Sequence, residues 1–560
     1  MYRRLAAYCI IGSFIAAISF QLLSYVSFEP LTTQYERYQR DYSTLGSYIT
    51  LLVVGTSLTL LSCWFQQHNY KKRKLLGQPT IAPPISLLQR WALYEWRLLS
   101  STWSLLTVGK LAGLFLLNTV LLYKDLDKVV QMPADSNRNM YLQTLANRSA
   151  QLAITNIAVS VALSAKLSVI QRWFFSIDTT LQWHKWFGRL GFLQVMYHAT
   201  YQLQFNYARQ GGYVFATLTT NVRHVTGTCM MSAMVVLILG SHPVVRLLSY
   251  RLFRWTHLSA FFVLVLFGCL HHWSFYLFYG AVLVFWVTDQ VDRSFVAEAC
   301  TVESLPGEIV KLTCKVPYQS GLLIPGQFAF ISFGSTSWIK AWFHSHPFSI
   351  CRMDSEVTDT DESALIGKSA SFTFYIKSIG NETRVLYQLG QQNKTMQARI
   401  SRPMGRPYIT NAGTEFGDYD TIVLVAEGMG ITPWISVLHY IKEREHAIHT
   451  KSVYFIWTVR SIDTFYAFEK EFERYQFTDI NVHVQLFITG VSDPEENYSI
   501  PSYIQLDIEN RPDYEAMLLK VQQKNKETVL GICTHEETMV RVNNIGLLYS
   551  WAMKKERFEL

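Results

Sequence analysis

His184 and His198 stand fourteen residues apart, and so do His257 and His271. Each pair lies in a strongly apolar stretch, HKWFGRLGFLQVMYHATYQL and HLSAFFVLVLFGCLHHW. Fourteen steps of about 100° leave a remainder of about 40°, so both histidines of a pair share one helix face. Fourteen rises of about 1.5 Å separate them by roughly 21 Å, within a hydrocarbon core of about 30 Å. Two such helices side by side offer two bis-imidazole sites, one near each leaflet, as needed to hold two stacked b-type haems and pass electrons across a membrane. A single intramembrane histidine is as readily a hydrogen-bonded interior residue. Two pairs with one spacing are hard to obtain by chance. His272 breaks the spacing, His224 is expected in a loop, and His242 before Pro243 reads as a structural residue at a helix end.

The rest of the chain agrees with a membrane enzyme. Of its 560 residues 49% are hydrophobic and only 16% charged, too apolar for an ordinary soluble protein of this length. The net charge of +8 is modest and implies no nucleic-acid partner. Eight cysteines are scattered without a C-x-x-C pair, which argues against zinc and against a disulfide framework. Eight spans are expected, at 6–27, 47–66, 103–123, 152–170, 184–205, 226–248, 256–273 and 275–289. The first reads as a signal anchor. Lys71 to Lys74 follow the second span, and Arg246, Arg251 and Arg254 follow the sixth. With the N-terminus inside, both groups are cytoplasmic. The segment around Asp135 and the sequon Asn147-Arg148-Ser149 then lie outside, with Asn147 open to glycosylation. The fifth and seventh spans run the same way, so His184 faces His257 near the inner leaflet and His198 faces His271 near the outer one.

From about Phe295 the pattern changes to strands. Val310, Leu312, Cys314 and Val316 alternate with polar residues, and FAFISF and SFTFYIKS follow with Gly and Pro turns. A small antiparallel β-barrel is expected. The acidic stretch Asp354 to Glu362 reads as a solvated insertion. Beyond it, TIVLVA fits a parallel strand buried on both faces. It ends in Glu427-Gly428-Met429-Gly430-Ile431-Thr432-Pro433, and a helix follows from Trp434. Glycines at a strand-to-helix turn let backbone N–H groups approach a phosphate, and the helix N-terminus favours the anion. Strands SVYFIWTVR, NVHVQLFIT and TVLGIC, with helices near 465–475 and from about Asp513, complete a doubly wound α/β domain.

The paired H-x13-H helices, His346-Pro347-Phe348-Ser349 and Gly428-Met429-Gly430-Ile431-Thr432-Pro433, in that order, resemble the ferric-chelate reductase and NADPH oxidase superfamily, most of all its fungal metalloreductases. The resemblance covers about 103–560. It implies a multi-domain membrane protein of ferredoxin-reductase-like build, divided as follows. Residues 1–102 hold extra transmembrane spans and a cytosolic loop, and 103–290 the transmembrane haem bundle. Residues 295–405 form the FAD-binding β-barrel, and 406–560 the NADPH-binding α/β domain. The four histidines would bind haem iron. His346, Pro347, Phe348 and Ser349, with Lys377 and Gly380, would hold FAD. Gly428, Gly430, Pro433, Arg460 and Cys533 would meet NADPH, with Arg511-Pro512 nearby. The implied activity is electron transfer from cytosolic NADPH through FAD and two haems to ferric or cupric chelates outside, in iron and copper uptake. The alternatives are an oxidase making superoxide, and a haem-binding membrane protein or transporter with a decayed reductase domain. The plasma membrane is the expected site, with an endomembrane as the alternative. Besides membrane lipid, a metal permease or oxidase partner is compatible with that role.

Three departures from the superfamily pattern stand out. Cys533-Thr534-His535 replaces Cys-Gly-Pro, and the lost glycine restricts backbone approach to a cofactor. Glu427 replaces a glycine and puts a negative charge beside a phosphate turn, unfavourable unless it points away. Ala165-Lys166 stands where Arg-Asn is usual.

Overall fold

The computed structural model describes residues 33–77, 86–98, 101–123, 134–165, 176–292, 296–317, 325–334, 344–355, 369–405, 408–410, 413–490, 500–508, 510–524 and 527–557. The expected first span, Lys166 and the acidic residues 356–362 lie outside them. Two compact units divide the chain. One comprises Met1–Ser62, Lys110–Leu167 and Ile177–Val291; the other comprises Cys63–Gly109, Ser168–Ser176 and Asp292–Leu560.

The first unit is helical. Its elements are the first part of α1 (Thr33–Leu75), most of α3 (Leu105–Tyr123), α4 (Ala134–Ser164), α5 (Ile177–Arg209), α6 (Val214–Thr219), α7 (Val222–Gly240), α8 (Pro243–Leu248), α9 (Tyr250–His271) and α10 (Ser274–Asp292). Among the described residues, four helices are long and apolar enough to cross a membrane: Tyr48–Leu75, Leu105–Tyr123, Val222–Gly240 and Tyr250–His271. Helices α4 and α5 are longer, at 31 and 33 residues, but carry more polar side chains. Some of these form a buried knot. Tyr48 donates to Asn156 at 2.5 Å, and Asn156 donates to Gln194 at 2.8 Å and to Asn118 at 3.0 Å. Asn118 donates back to Tyr48 at 3.1 Å. Four helices are joined by groups that satisfy one another, as buried polar groups without water must be.

The structure departs from the sequence expectation at two places. His224 is not in a loop but in the first turn of α7, because the Asn221 side chain caps that helix, accepting from His224 N at 3.0 Å. The sixth span is not one helix. It breaks before Pro243, which cannot donate to the preceding turn, and restarts with His242 as the N-cap of α8. The sequon lies within α4. Asn147 is exposed on that helix, while Ser149 is buried and donates to the Gln194 carbonyl at 2.8 Å.

In the second unit an antiparallel sheet of seven strands is built from β3 (Val296–Leu305), β4 (Ile309–Pro317), β5 (Phe328–Phe333), β6 (His346–Ser349), β7 (Arg352–Ser355), β8 (Ser369–Lys377) and β9 (Thr395–Ile400). Their order is β6-β5-β9-β3-β4-β8-β7, and the sheet curls so that β6 also approaches β8. Alternating residues of β4 and β8 fill its core, with Val310, Leu312, Phe372 and Phe374 all buried. Cys300 and Cys314 face each other across β3 and β4 and are disulfide-bonded. The scattered cysteines therefore do make one bridge, because register brings together what spacing does not reveal. Helix α11 (Asn381–Gln391) follows β8.

The second sheet is wholly parallel: β10 (Thr421–Glu427), β11 (Ser452–Val459), β12 (Asn481–Ile488), β13 (Ile504–Ile508), β14 (Thr528–Cys533) and β15 (Ala552–Lys555), in the order β13-β12-β11-β10-β14-β15. Its helices are α12 (Thr432–Glu443), α13 (Ile462–Tyr466), α14 (Glu469–Arg474), α15 (Tyr514–Lys524) and α16 (Glu536–Leu548). The chain winds outward from β10 in one direction, then returns to place β14 on its other flank. The topological switch point lies between β10 and β14, and ligands of such sheets bind beyond the strand C-termini there. Buried Glu471 ties the two sheets. It accepts from Tyr375 at 2.7 Å, Arg352 at 3.3 Å and Tyr475 at 3.2 Å.

The stretch expected as an N-terminal cytosolic loop belongs to this second unit. Helix α2 (Leu87–Leu93) and the hairpin β1 (Glu95–Leu98) and β2 (Ser101–Ser104) lie along α16. Glu95 N donates to Asn544 at 2.9 Å, and Asn544 donates back to the Glu95 carbonyl at 2.7 Å. Lys555 reaches the Glu95 carboxylate at 2.5 Å, Arg90 donates to the Leu548 carbonyl at 3.0 Å, and Thr102 pairs with Glu536.

Candidate functional site

The four spaced histidines are held by neighbouring helices rather than by their own. Helices α4 and α5 pack closely at Gly191, where a Cβ would stand 2.8 Å from Ile157 Cγ1. That closeness lets α4 carbonyls reach α5 rings. His184 Nδ1 lies 2.7 Å from the Ser160 carbonyl, and His198 Nδ1 lies 2.9 Å from the Ala146 carbonyl. Helices α7 and α9 approach in the same way at Gly240, where a Cβ would stand 2.6 Å from Thr256 Oγ1. There Ser241 Oγ lies 2.9 Å from His257 Nδ1, and Thr226 Oγ1 lies 3.0 Å from His271 Nδ1.

Proton bookkeeping then fixes the tautomers. A carbonyl only accepts, so His184 and His198 carry their protons on Nδ1. Ser241 spends its hydroxyl proton on the Leu237 carbonyl at 2.6 Å, and Thr226 spends its own on the Val222 carbonyl at 2.7 Å. Both hydroxyls therefore accept from their histidines. All four rings are Nδ1–H tautomers with the Nε2 lone pair free, the form a metal-ligating imidazole takes. The His184 and His257 rings stand 6.2 Å apart, centroid to centroid. Two metal–nitrogen bonds of about 2 Å, plus about 1 Å from each nitrogen to its ring centre, sum to about 6 Å. The pair fits one iron between them. His272 caps the end of α9, and its Nδ1 pairs with Ser274 at 2.8 Å, outside either set.

The flavin-binding candidates come together at one edge of the curled sheet. His346-Pro347-Phe348-Ser349 is strand β6, at the sheet edge, with Phe348 packed on Phe333. Gly380 is the N-cap of α11, and Thr383 fixes that turn by accepting from Gly380 N and donating to its carbonyl, both at 3.0 Å. Glu382, in the first turn of α11, lies 3.4 Å from His346 Nε2, so the two segments share one face. Lys377 is placed differently. Its ammonium donates to the Gly307 carbonyl and serves the β3–β4 turn.

The nucleotide candidates sit at the switch point. Gly428 has φ +53°, and its carbonyl accepts from Trp457 Nε1 at 2.9 Å. A Cβ on Gly430 would lie 2.1 Å from the Cys533 carbonyl oxygen, so only glycine fits. Pro433 opens α12 and is buried there. Cys533 ends β14 and is buried. Burial, then the carboxylates of Glu556 and Glu427, push its thiol well above the usual range. Arg460 follows β11 with an exposed side chain, and Arg511 lies exposed before α15. Glu427 is turned away from the phosphate turn. Its carboxylate accepts from His535 N at 2.9 Å, His535 Nδ1 at 2.7 Å and Thr538 at 2.8 Å. The partners Ala146, Ser160, Thr226, Ser241 and Thr538 carry no signal in the sequence. Their distances along the chain from the groups they serve follow no period.

Three family models match along the chain: the ferric reductase like transmembrane component over residues 149–269, an FAD-binding domain over 294–408 and the ferric reductase NAD binding domain over 419–545. The chain belongs to the ferric reductase and NADPH oxidase superfamily. It is a membrane protein that carries the three domains these models describe. It is 22% identical over 369 residues to ferric/cupric reductase transmembrane component 2 of Saccharomyces cerevisiae, covering 62% of this chain and 47% of that one. To the protein named "Probable cell surface ferric reductase kap2" of Aspergillus oryzae it is 26% identical over 390 residues, covering 62% and 48%. To a superoxide-generating NADPH oxidase heavy chain of Dictyostelium discoideum it is 22% identical over 263 residues, covering 40% and 34%. The chain spans about half the length, or less, of these relatives.

Proposed function

We propose that this chain carries electrons across a membrane, from NADPH on the cytosolic side to ferric or cupric chelates on the other. When bound, FAD would take a hydride and release single electrons, and two b-type haems would carry them. The residues fit those groups. His184 with His257, and His198 with His271, would supply axial nitrogens. Strand β6 and the Gly380 turn would hold the flavin, and the Gly428–Pro433 turn the dinucleotide phosphates. One observation carries the reading: all four spaced histidines are locked in the tautomer that leaves Nε2 free, by two partners on α4, one on α7 and one at the C-cap of α7. A helix interior that merely satisfied its histidines would not need the same nitrogen exposed four times.

The charge bias of Lys71 to Lys74 supports a cytosolic position for the flavin and nucleotide domains. Intact cells overexpressing the protein in the plasma membrane should then reduce a membrane-impermeant ferric chelate added outside. No external reduction, with haem and flavin loaded, would count against that site or acceptor. The likeness to a superoxide-generating oxidase supports a second reading, oxygen as acceptor, and superoxide release by isolated membranes would favour it. The glycine-dependent approach of Gly430 to β14 is intact, which supports an enzyme over a decayed reductase domain. Arg460 is proposed to pair with the NADPH 2′-phosphate. Arg460→Ala should weaken NADPH by roughly 10- to 150-fold, for a charge-assisted contact of about 1.5–3 kcal/mol, and spare NADH. An equal loss for both donors would refute that role.

A further inference from the structure

Two of the departures from the superfamily pattern, Glu427 and His535, touch each other. Glu427 closes β10, and its side chain is 16% exposed; His535 follows β14 and precedes α16, with its side chain 81% exposed. The Glu427 carboxylate accepts three hydrogen bonds, from His535 N, His535 Nδ1 and Thr538 Oγ1. All three donors belong to the turn after β14 and the first turn of α16, and the Tyr514 hydroxyl of α15 faces the same carboxylate. The carboxylate therefore sits at the N-terminus of a 13-residue helix, where unpaired N–H groups and the helix dipole stabilise an anion. Protein donors hold and stabilise its charge, and the turn at Gly428–Thr432 is left to a ligand.

The same contact fixes one wall of the crevice. Cys533, Thr534 and His535 connect β14 to α16, and the Cys533 carbonyl packs on Gly430 with no room for a Cβ between them. Thr534-His535 lacks the glycine and proline that shape this turn elsewhere in the superfamily. Here a side chain from the neighbouring strand holds it instead.

We propose that Glu427 is a positioning residue. It clamps the Cys533–His535 turn across the switch point, and through that turn sets the attitude of the donor's nicotinamide end. The proposal rests on the reading of this crevice as the NADPH site, with Cys533 beside the nicotinamide. Removing the clamp lets the turn drift while the phosphate turn stays in place. Hydride transfer then slows more than donor binding weakens.

The test is NADPH-driven flavin reduction by the full-length, flavin-loaded protein, with flavin absorbance reporting that each variant is folded. Glu427→Ala should lower kcat by about 10- to 100-fold, as a misplacement near 1 Å does, with KM changed less than about 3-fold. Glu427→Gln keeps an acceptor for His535 and a partner for Thr538, and should restore kcat to within about 3-fold of the natural protein. His535→Ala removes one of the three donors from an exposed position and should fall between the two. Glu427→Ala with His535→Ala together should be no slower than Glu427→Ala alone, because the two residues act as one unit. The proposal is overturned if Glu427→Gln is as slow as Glu427→Ala, if the two single losses multiply, or if the loss falls on KM alone. Gly430→Ala is the control for the site itself. It should abolish NADPH use, and retained use would overturn the donor-site reading rather than the clamp.

Discussion

Thr226→Val replaces a hydroxyl by a methyl group of the same shape, in a helix that packs on α9. Thr226 Oγ1 is 3.0 Å from His271 Nδ1 and has already given its own proton to the Val222 carbonyl, so it serves the histidine as an acceptor. The valine takes that hydroxyl from a ring N–H in a membrane interior and leaves it the Arg223 carbonyl as its other acceptor. A wholly unsatisfied buried donor costs about 1–3 kcal/mol, roughly 5- to 150-fold in an equilibrium constant, and that range bounds the effect from above. Loss of a partner behind a metal-ligating histidine is worth about 10- to 100-fold in affinity, the same range reached from another direction. The haem proposed between His198 and His271 should therefore be lost up to that much more readily. The haem proposed between His184 and His257 would depend on Ser160 and Ser241 and should stay. The assay is competition for haem by excess apomyoglobin, followed on the purified protein by the reduced-minus-oxidised spectrum. The natural protein should hold both haems, Thr226→Val should release one, and Thr226→Ser should behave as the natural protein. Equal retention of both haems by Thr226→Val would refute the reasoning, since the hydroxyl would then be serving only its own helix.

Other consequences are open to direct measurement. Asn544→Ala removes both bonds to the Glu95 backbone, and the Glu95 amide should then exchange with deuterium at least about tenfold faster, as loss of a bond worth about 1.4 kcal/mol allows; unchanged protection would mean the hairpin is held by other contacts. Glu471→Ala leaves Arg352 and two tyrosine hydroxyls facing a buried gap and should cost about 3–5 kcal/mol, read as a fall in the melting temperature of the flavin-binding and nucleotide-binding unit. The Cys533 thiol is held above its usual range, so its thiolate is scarce at neutral pH and alkylation should accelerate only at a pH above that of an ordinary cysteine. Rapid labelling of Cys533 by iodoacetamide at pH 7 would contradict this.

Long-period signals are the legible part of this sequence. The fourteen-residue histidine spacing, the apolar runs of α3, α7 and α9, and the buried strands β10, β11, β12 and β14 each repeat one physical demand over many residues. Short or polar elements carry no such signal. Strand β15, AMKK, is an edge strand of four residues, and the β1–β2 hairpin depends on α16 for its partners. Glu427 and His535 stand out in the sequence as oddities one at a time. Only the adjacency of β10 and β14 in the sheet shows that each answers the other. The histidine partners are illegible for the same reason. Ser160 and Thr226 act across helix interfaces, at separations of 24 and 45 residues that no periodicity predicts.

Two low-spin haems held between paired histidines and reduced from NADPH are what the proposed function requires of this chain. The most direct measurement is an anaerobic one, on the purified, flavin-loaded full-length protein. Adding NADPH should bleach the flavin and raise the sharp α-band of reduced bis-imidazole haem, with about two haems per chain and one fewer in His184→Ala or His271→Ala. Low-spin haem absent from the natural protein, or present in full in both variants, would contradict the account.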